Sequence, residues 1–385
     1  MKGIALLATA GLMLVVAPAA HARPGDLDKT FAKTGRFAWN PYGTGGSVAG
    51  LTLPDGLRPL LSVSASRNGT YAPSWVRLTS LGRIAEQTPI PRPATGAPAL
   101  QGDYVVMRLS NQQFTVGKRG GQSVTVTVPA GLYAHNLRVD KAGRAIVVGS
   151  RDRGDGTGYE HWAMRFLASG AVDASYGTGG RVVLPDVPNG VLVTPDSRLF
   201  TTNGERVTAL DAAGRPAAGF VSATFKHGYT LAAGPGETLL VAGTNNGVGY
   251  IVRLRSSGRL DTRFGTRGRT SAASVYGRVD PDLIIRDRRG RLLLAGSHYE
   301  DNGRFKAAVV RLQARGKVDR TFADRGRKLF GLGWIPGERI VGWTVSHVAI
   351  DQRDRILVAG TAYNDDVAIR EDFGEPYPAI ARLKG

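Results

Sequence analysis

The chain has 385 residues, with 50 Lys and Arg against 31 Asp and Glu for a formal net charge of +19, and it contains 52 Gly, 20 Pro and no Cys. With 42% hydrophobic and 21% charged residues it carries enough apolar side chain to build a core, so wholesale disorder is excluded. The lack of Cys excludes disulfides, thiolate-held zinc or iron–sulfur clusters, a catalytic cysteine and thiol redox chemistry.

Residues 1–22 hold one cation at Lys2, an apolar run from Ile4 to Val16 and the small-residue end Ala20-His21-Ala22. This is the layout of a secretory signal peptide cleaved near Ala22. The run is shorter than the roughly 20 residues that span a bilayer, and no later uncharged stretch approaches that length. The expected mature chain, residues 23–385, is a single extracytoplasmic domain, periplasmic or secreted.

The segment Gly25-Asp-Leu-Asp28-Lys-Thr-Phe31-Ala-Lys-Thr-Gly35-Arg36 follows at once, and its pattern returns at Gly170–Arg181, Gly258–Arg269 and Gly316–Arg327. All four copies fit G-x-[LV]-D-x-x-[FY]-x-x-x-G-R without a gap. Upstream of the copies lie short β runs ending in Gly, such as Gly290-Arg-Leu-Leu-Leu-Ala-Gly296, and then runs closing in Arg-Leu or a variant, such as Ile251-Val-Arg-Leu254. Seven such closures occur, at Leu78, Leu109, Phe166, Leu210, Leu254, Leu312 and Leu383. The units closing at Leu78, Leu109 and Leu210 lack the Asp-x-x-Phe step.

Short β runs bounded by Gly, Pro, Asn and Asp read as strands and tight turns. A repeat of roughly 40–60 residues with about four strands is the pattern of a β-propeller blade, which buries its apolar faces only against its neighbours. The expected fold is therefore an all-β propeller of seven blades. The chain stops at Arg382-Leu383-Lys384-Gly385, where other copies continue into the motif that stands at the mature N-terminus. The N-terminal segment is expected to complete the last blade and leave no open sheet edge.

The four motif copies resemble the delta-60 repeat family of bacterial extracytoplasmic proteins, whose units carry G-x-L-D-x-x-F-G-x-x-G after a G-R-I-L-V-A-G-type strand. That resemblance implies a propeller-like fold and brings no activity or catalytic residues with it.

Asp28, Asp173, Asp261 and Asp319 stand just after Gly-x-[LV] and read as turn residues that accept backbone N–H bonds, rather than as a carboxylate ring for metal or acid–base work. Phe31, Tyr176, Phe264 and Phe322 read as plugs between blades, and Gly35, Gly180, Gly268 and Gly326 as positions of positive φ. His135, His161, His227, His298 and His347 are placed in five different units with no metal-ligand spacing. The stretch Asp152-Arg-Gly-Asp155-Gly-Thr-Gly158 lacks the ligand positions of a calcium loop and reads as an exposed hairpin. Asp365-Asp366 and Glu371-Asp372 fall in the insertion before the last strand. No phosphate loop, nucleophile elbow or dinucleotide fingerprint occurs, so no catalytic, cofactor or metal residue is assigned.

Arg outnumbers Lys 40 to 10, and loop clusters occur at Lys118-Arg119, from Arg286 to Arg291 and from Arg315 to Arg327. Such charge draws anionic partners through a salt-sensitive field. Arg36, Arg181, Arg269 and Arg327, and Arg77, Arg108, Arg165, Arg253, Arg311 and Arg382, recur at two repeat positions, so part of the excess is architectural. The expected function is non-catalytic: a monomeric binding or scaffold protein at the cell envelope, for an anionic polymer or another envelope protein, without dedicated nucleic-acid binding. The alternative is a hydrolase or lyase on polysaccharide, with acids and histidines from several units converging at the channel mouth.

Overall fold

The computed structural model describes residues 23–41, 45–67, 70–90, 98–246, 248–271, 279–301, 303–364 and 376–385. The expected signal peptide and the acidic pairs Asp365-Asp366 and Glu371-Asp372 lie outside these residues.

Strand β1 (Arg36–Ala38) belongs with the end of the chain. Strands β2 (Gly46–Thr52), β3 (Leu60–Arg67), β4 (Thr70–Tyr71), β5 (Ser74–Leu78) and β6 (Ile84–Pro89) form a sheet in the order β2-β3-β5-β6, with β4 on β3. Next come β7 (Ala99–Gln101), β8 (Tyr104–Arg108), β9 (Gln113–Lys118) and β10 (Ser123–Thr127) as one sheet. A further sheet is β11 (Tyr133–Val139), β12 (Ala145–Asp152), β13 (Tyr159–Phe166) and β14 (Arg181–Leu184). A three-stranded sheet, β15 (Gly190–Val193), β16 (Leu199–Thr202) and β17 (Val207–Leu210), precedes a four-stranded one of β18 (Gly228–Ala233), β19 (Leu239–Asn245), β20 (Val248–Leu254) and β21 (Arg269–Ser271). The remaining strands are β22 (Val279–Arg286), β23 (Leu292–Tyr299), β24 (Phe305–Leu312), β25 (Arg327–Phe330), β26 (Ile340–Ile350), β27 (Ile356–Asn364) and β28 (Pro376–Leu383).

The expectation of seven separate blades is corrected by this topology. Five sheets stand alone as blades, while β22–β28 and β1 make one continuous eight-stranded sheet. The cause is a parallel pairing of Phe305 with Gly342, where a register shift between Ile340 and Gly342 bends the start of β26 onto β24. Gly342 permits the approach because a Cβ there would stand 2.9 Å from the Phe305 ring.

The strands β2, β7, β11, β15, β18, β22 and β26, the last two both in the eight-stranded sheet, lie against one another in a closed circuit. Gln101 of β7 makes one such joint by donating to Leu137 O at 2.8 Å and accepting from Val139 N at 3.0 Å. Second and third strands such as β23 and β24 are buried along almost their whole length, because sheets press on both of their faces and alternation disappears. The core is accordingly a set of layers between sheets: Phe264, Ile251 and Leu240 pack with Leu294 and Val310, and Tyr176 and Ala163 pack with Leu199 and Leu210.

At the chain ends β1 runs antiparallel to β28, Phe37 opposite Ile380, and Leu27 bridges Leu383. Gly25 N donates to Lys384 O at 2.7 Å and Arg382 N to Gly35 O at 2.9 Å. The N-terminal segment thus covers the edge that β28 would expose.

Candidate functional site

The repeated motif resolves into one buried unit built four times. Arg165, Arg253, Arg311 and Arg382 donate through Nε to Oδ2 of Asp173, Asp261, Asp319 and Asp28 at 2.7, 2.8, 2.8 and 2.9 Å. Each guanidinium also lies over an aromatic ring, Tyr176, Phe264, Phe322 or Phe31, with centroid distances of 4.7, 4.7, 4.6 and 4.8 Å. The four rings are fully buried. Beyond them the guanidinium reaches the next sheet: Arg253 Nη1 donates to Ala314 O at 3.1 Å, Arg382 Nη1 to Ser80 O at 2.5 Å, and Arg165 Nη1 to Ala212 O. Arg311 Nη1 is buried and has no acceptor among the described residues.

The Asp residues hold the turn as read from the sequence, each accepting a backbone N–H two positions on, from Thr30, Ser175, Arg263 and Thr321. Burial pushes the Asp28 and Asp319 carboxyls up, but hydrogen bonds from Thr30 and Thr321 and the charges of Arg382 and Arg311 outweigh it and hold both below the ordinary value. Gly35, Gly180, Gly268 and Gly326 have φ between 85° and 106°. The ring of one unit packs under a turn glycine of the next: a Cβ on Gly316 would come within 2.7 Å of Phe264, and one on Gly82 within 2.8 Å of Phe31. The Arg partner was missed in the sequence, although Arg and Asp are eight residues apart in three copies.

A second acidic turn joins this network. Asp287 Oδ1 accepts from Arg289 N and Arg291 N at 2.9 and 2.8 Å, while Oδ2 takes Arg291 Nε. Asp351 binds Arg353 N, Arg355 N and Arg355 Nε in the same way, at 2.9, 3.0 and 2.7 Å. Arg355 Nη1 lies 3.6 Å from Asp28 and Arg291 Nη1 lies 4.0 Å from Asp319.

The outcome is a separation of sign. Asp28, Asp261, Asp287, Asp319 and Asp351 are buried, whereas the cations beside them that are not in the network point outward. Arg288, Arg289 and Arg353 are exposed on the acidic turns, and Arg255, Arg259, Arg315 and Lys317 on the turns into the motif loops. Arg263, Arg267, Arg320 and Arg325 are exposed within those loops, with Asp324 as an exposed acid among them. In antiparallel sheets the first and third turns fall at the same end, so all of these cations share one face. Adjacent turns touch: Arg288 Nη1 donates to Gln352 O at 3.0 Å, and Gly265 N to Arg315 O at 2.8 Å. Arg77 and Arg108, at the motif position in two of the three sheets that lack the Asp-x-x-Phe step, are not part of such units; the Arg77 side chain is 38% exposed and 3.8 Å from Glu86.

The histidines are not in five different units, because His135 in β11 and His161 in β13 flank Ser150 of the same sheet, with Nε2 of His135 2.6 Å from Ser150 Oγ. The two were separated in the sequence because only strand register brings them together. They border a cleft of about 860 Å³. His227 is exposed before β18, and His298 lies at the end of β23. Among the described residues no group of three His, Asp or Glu side chains could hold a metal ion. The hairpin from Asp152 to Gly158 is exposed, with Asp152 and Asp155 turned onto Gly154 N and Thr157 N.

His347 in β26 sits at a seam: its Nδ1 is 2.9 Å from Ser346 Oγ, which donates to Val48 O of β2 at 3.1 Å. Burial pushes the imidazole down from 6.5 to about 4. The folded pKa lies below the unfolded one, so the stabilisation is complete above pH 6.5 and is lost as pH falls toward 4. The loss amounts to about 3 kcal/mol. Thermal melts across this window should show His347→Gln with a flatter pH profile than the parent; parallel profiles would remove His347 from the acid response.

A family model described as "Domain of unknown function (DUF5122) beta-propeller" matches residues 290–322, which span β23, β24 and the motif as far as Phe322. Comparison with curated proteins gives no match. Among solved structures, streptogramin B lyase is similar at 10% identity and a TM-score of 0.50, over 90% of this chain and 97% of that one. A protein of unknown function from Bacteroides caccae has 13% identity and a TM-score of 0.40 over 72% and 93% of the two chains. BamB from Moraxella catarrhalis has 14% identity and a TM-score of 0.37 over 87% and 83%. Likeness at such identity speaks to the fold alone. The chain is a β-propeller.

Proposed function

We propose that this chain is an exported, non-catalytic propeller of the delta-60 repeat type that binds an anionic polymer of the cell envelope through its cationic face. The separation of sign carries the reading: Asp28, Asp261, Asp287, Asp319 and Asp351 are withdrawn into buried ion pairs while Arg288, Arg289, Arg315, Lys317 and Arg353 stay exposed. An architecture that needed only the buried pairs would leave the outer positions free to take neutral residues. Clustered exposed cations give a long-range attraction that salt screens over about 10 Å at 0.1 M.

The test is retention of the mature chain on isolated cell envelope. Strong retention near 0.02 M salt, lost near 0.3 M, is expected from such screening. The triple variant Arg288→Glu, Arg289→Glu, Arg353→Glu should abolish retention while melting like the parent. Absence of retention at low salt, or retention untouched by the triple variant, defeats the reading.

A further inference from the structure

On the rim opposite the cationic face, β11, β12 and β13 build a cleft that the reading above does not use. Register places Tyr133, Ser150 and His161 in one cross-strand row, and Asp152 and Tyr159 opposite each other two residues nearer the rim and so on the same face. Directly opposed residues share a face of the sheet, so both rows line the same wall. The register shift between Ala134 and Asn136 puts His135 at a bulge, and a bulge re-aims its side chain. The imidazole reaches Ser150 Oγ at 2.6 Å.

Three features of this cleft describe its occupant. The first is exposed aromatic surface: Tyr133 is 47% and Tyr159 58% exposed, and Val187 across the cleft is 50% exposed. Rings held open at a concave site present flat apolar faces with a polar edge. The second is polarity without strong charge. Burial pushes His135 and His161 below their ordinary values, helped by Arg108 at His135 and by His135 and Arg153 at His161. Both imidazoles are then neutral at pH 7, and each offers one donor and one acceptor nitrogen. Arg108 is turned onto Ser110 O, Asn111 Oδ1 and Ala134 O. The third is an imperfectly satisfied wall: His161 Nδ1 is buried and has no hydrogen-bond partner among the described residues, a state that costs about 1–3 kcal/mol.

We infer that this cleft is a binding site for a neutral carbohydrate. A pyranose ring presents a C–H face that packs on Tyr159, and its hydroxyls both donate and accept, so they match the imidazoles whichever ring nitrogen carries the proton. A phosphate or carboxylate fits less well, since it would meet two neutral imidazoles and Asp152 at the rim, and the lining cation Arg108 already donates to Ser110 O, Asn111 Oδ1 and Ala134 O. A volume of about 860 Å³ lies within the size range of small-molecule sites and takes a short oligosaccharide.

The experiment is a calorimetric or NMR titration of the mature chain at pH 7.5 with maltotriose, cellotriose and tri-N-acetylchitotriose as neutral probes and trigalacturonic acid as the anionic one. Working near 0.3 M salt silences the cationic face, so the result is independent of the envelope-binding reading. Saturable binding of at least one neutral trisaccharide is expected, weakened about tenfold or more by Tyr159→Ala and likewise by His161→Leu. Tyr159 is exposed, so its replacement leaves the fold intact and keeps the test decisive. No saturation by any neutral probe up to about 10 mM, where even millimolar affinity would register, overturns the inference. So does binding of trigalacturonic acid alone, or a Tyr159→Ala variant that binds as the parent does.

Discussion

Deletion of Pro24 to Phe37 is expected to unfold the propeller or leave it far less stable, with a loss larger than any single substitution produces. The segment supplies the carboxylate 2.9 Å from Arg382 Nε, the fully buried Phe31 ring under that guanidinium, and the strand that pairs with β28. Without Asp28 the buried Arg382 loses its counter-ion, a change worth about 3–5 kcal/mol. Without Phe31 the layer of Leu61, Val76, Leu357 and Ile380 loses a ring, which costs about 3–5 kcal/mol on its own. The two effects share partners and do not simply add, yet together they rival the 5–15 kcal/mol or so by which a domain is stable. The exposed edge of β28 would in addition invite pairing between molecules. Denaturant unfolding and size-exclusion chromatography of the truncated chain check this; a monomer as stable as the parent would show that the ends do not close the ring. Phe31→Ala isolates the ring alone and should cost about 3–5 kcal/mol.

What the sequence disclosed and what it concealed divide along one physical line. Features set within a single motif copy were legible: Asp28 and its counterparts cap the turn, Phe31 and its counterparts are buried, and Gly35 and its counterparts have positive φ. These follow from local chain chemistry repeated four times. Features set by how distant strands meet were not. The joining of β24 to β26 depends on one parallel pair and on the bulged start of β26, and no local pattern announces it. The meeting of His135 with His161 depends on the register of both with β12, whereas their spacing along the chain suggests separation. The cationic face lies between these cases. Its arginines were visible as clusters, but which cations remain for a partner could be decided only once Arg165, Arg253, Arg311 and Arg382 were seen to be neutralised by acids inside the fold.

That division of the arginines carries the second large prediction. Arg253→Met is expected to destabilise by about 3–5 kcal/mol, because it strands Asp261 in a buried site. It also removes the bond to Ala314 O of the next sheet and the contact with the Phe264 ring. Arg253→Lys should recover little of this, since an ammonium has neither the fork that spans Asp261 and Ala314 nor the flat face that lies on the ring. The double variant Arg253→Met, Asp261→Asn should cost less than the sum of its parts, because no unpaired charge stays buried. Arg77→Met is the control at the same repeat position. Its side chain is 38% exposed and 3.8 Å from a more exposed Glu86, and pairs of that kind contribute about 0–1 kcal/mol. Guanidinium-chloride unfolding of the four variants decides the matter. If Arg253→Met and Arg77→Met cost the same, the buried arginines are not structural parts, and they must be counted again among the charges available to a partner.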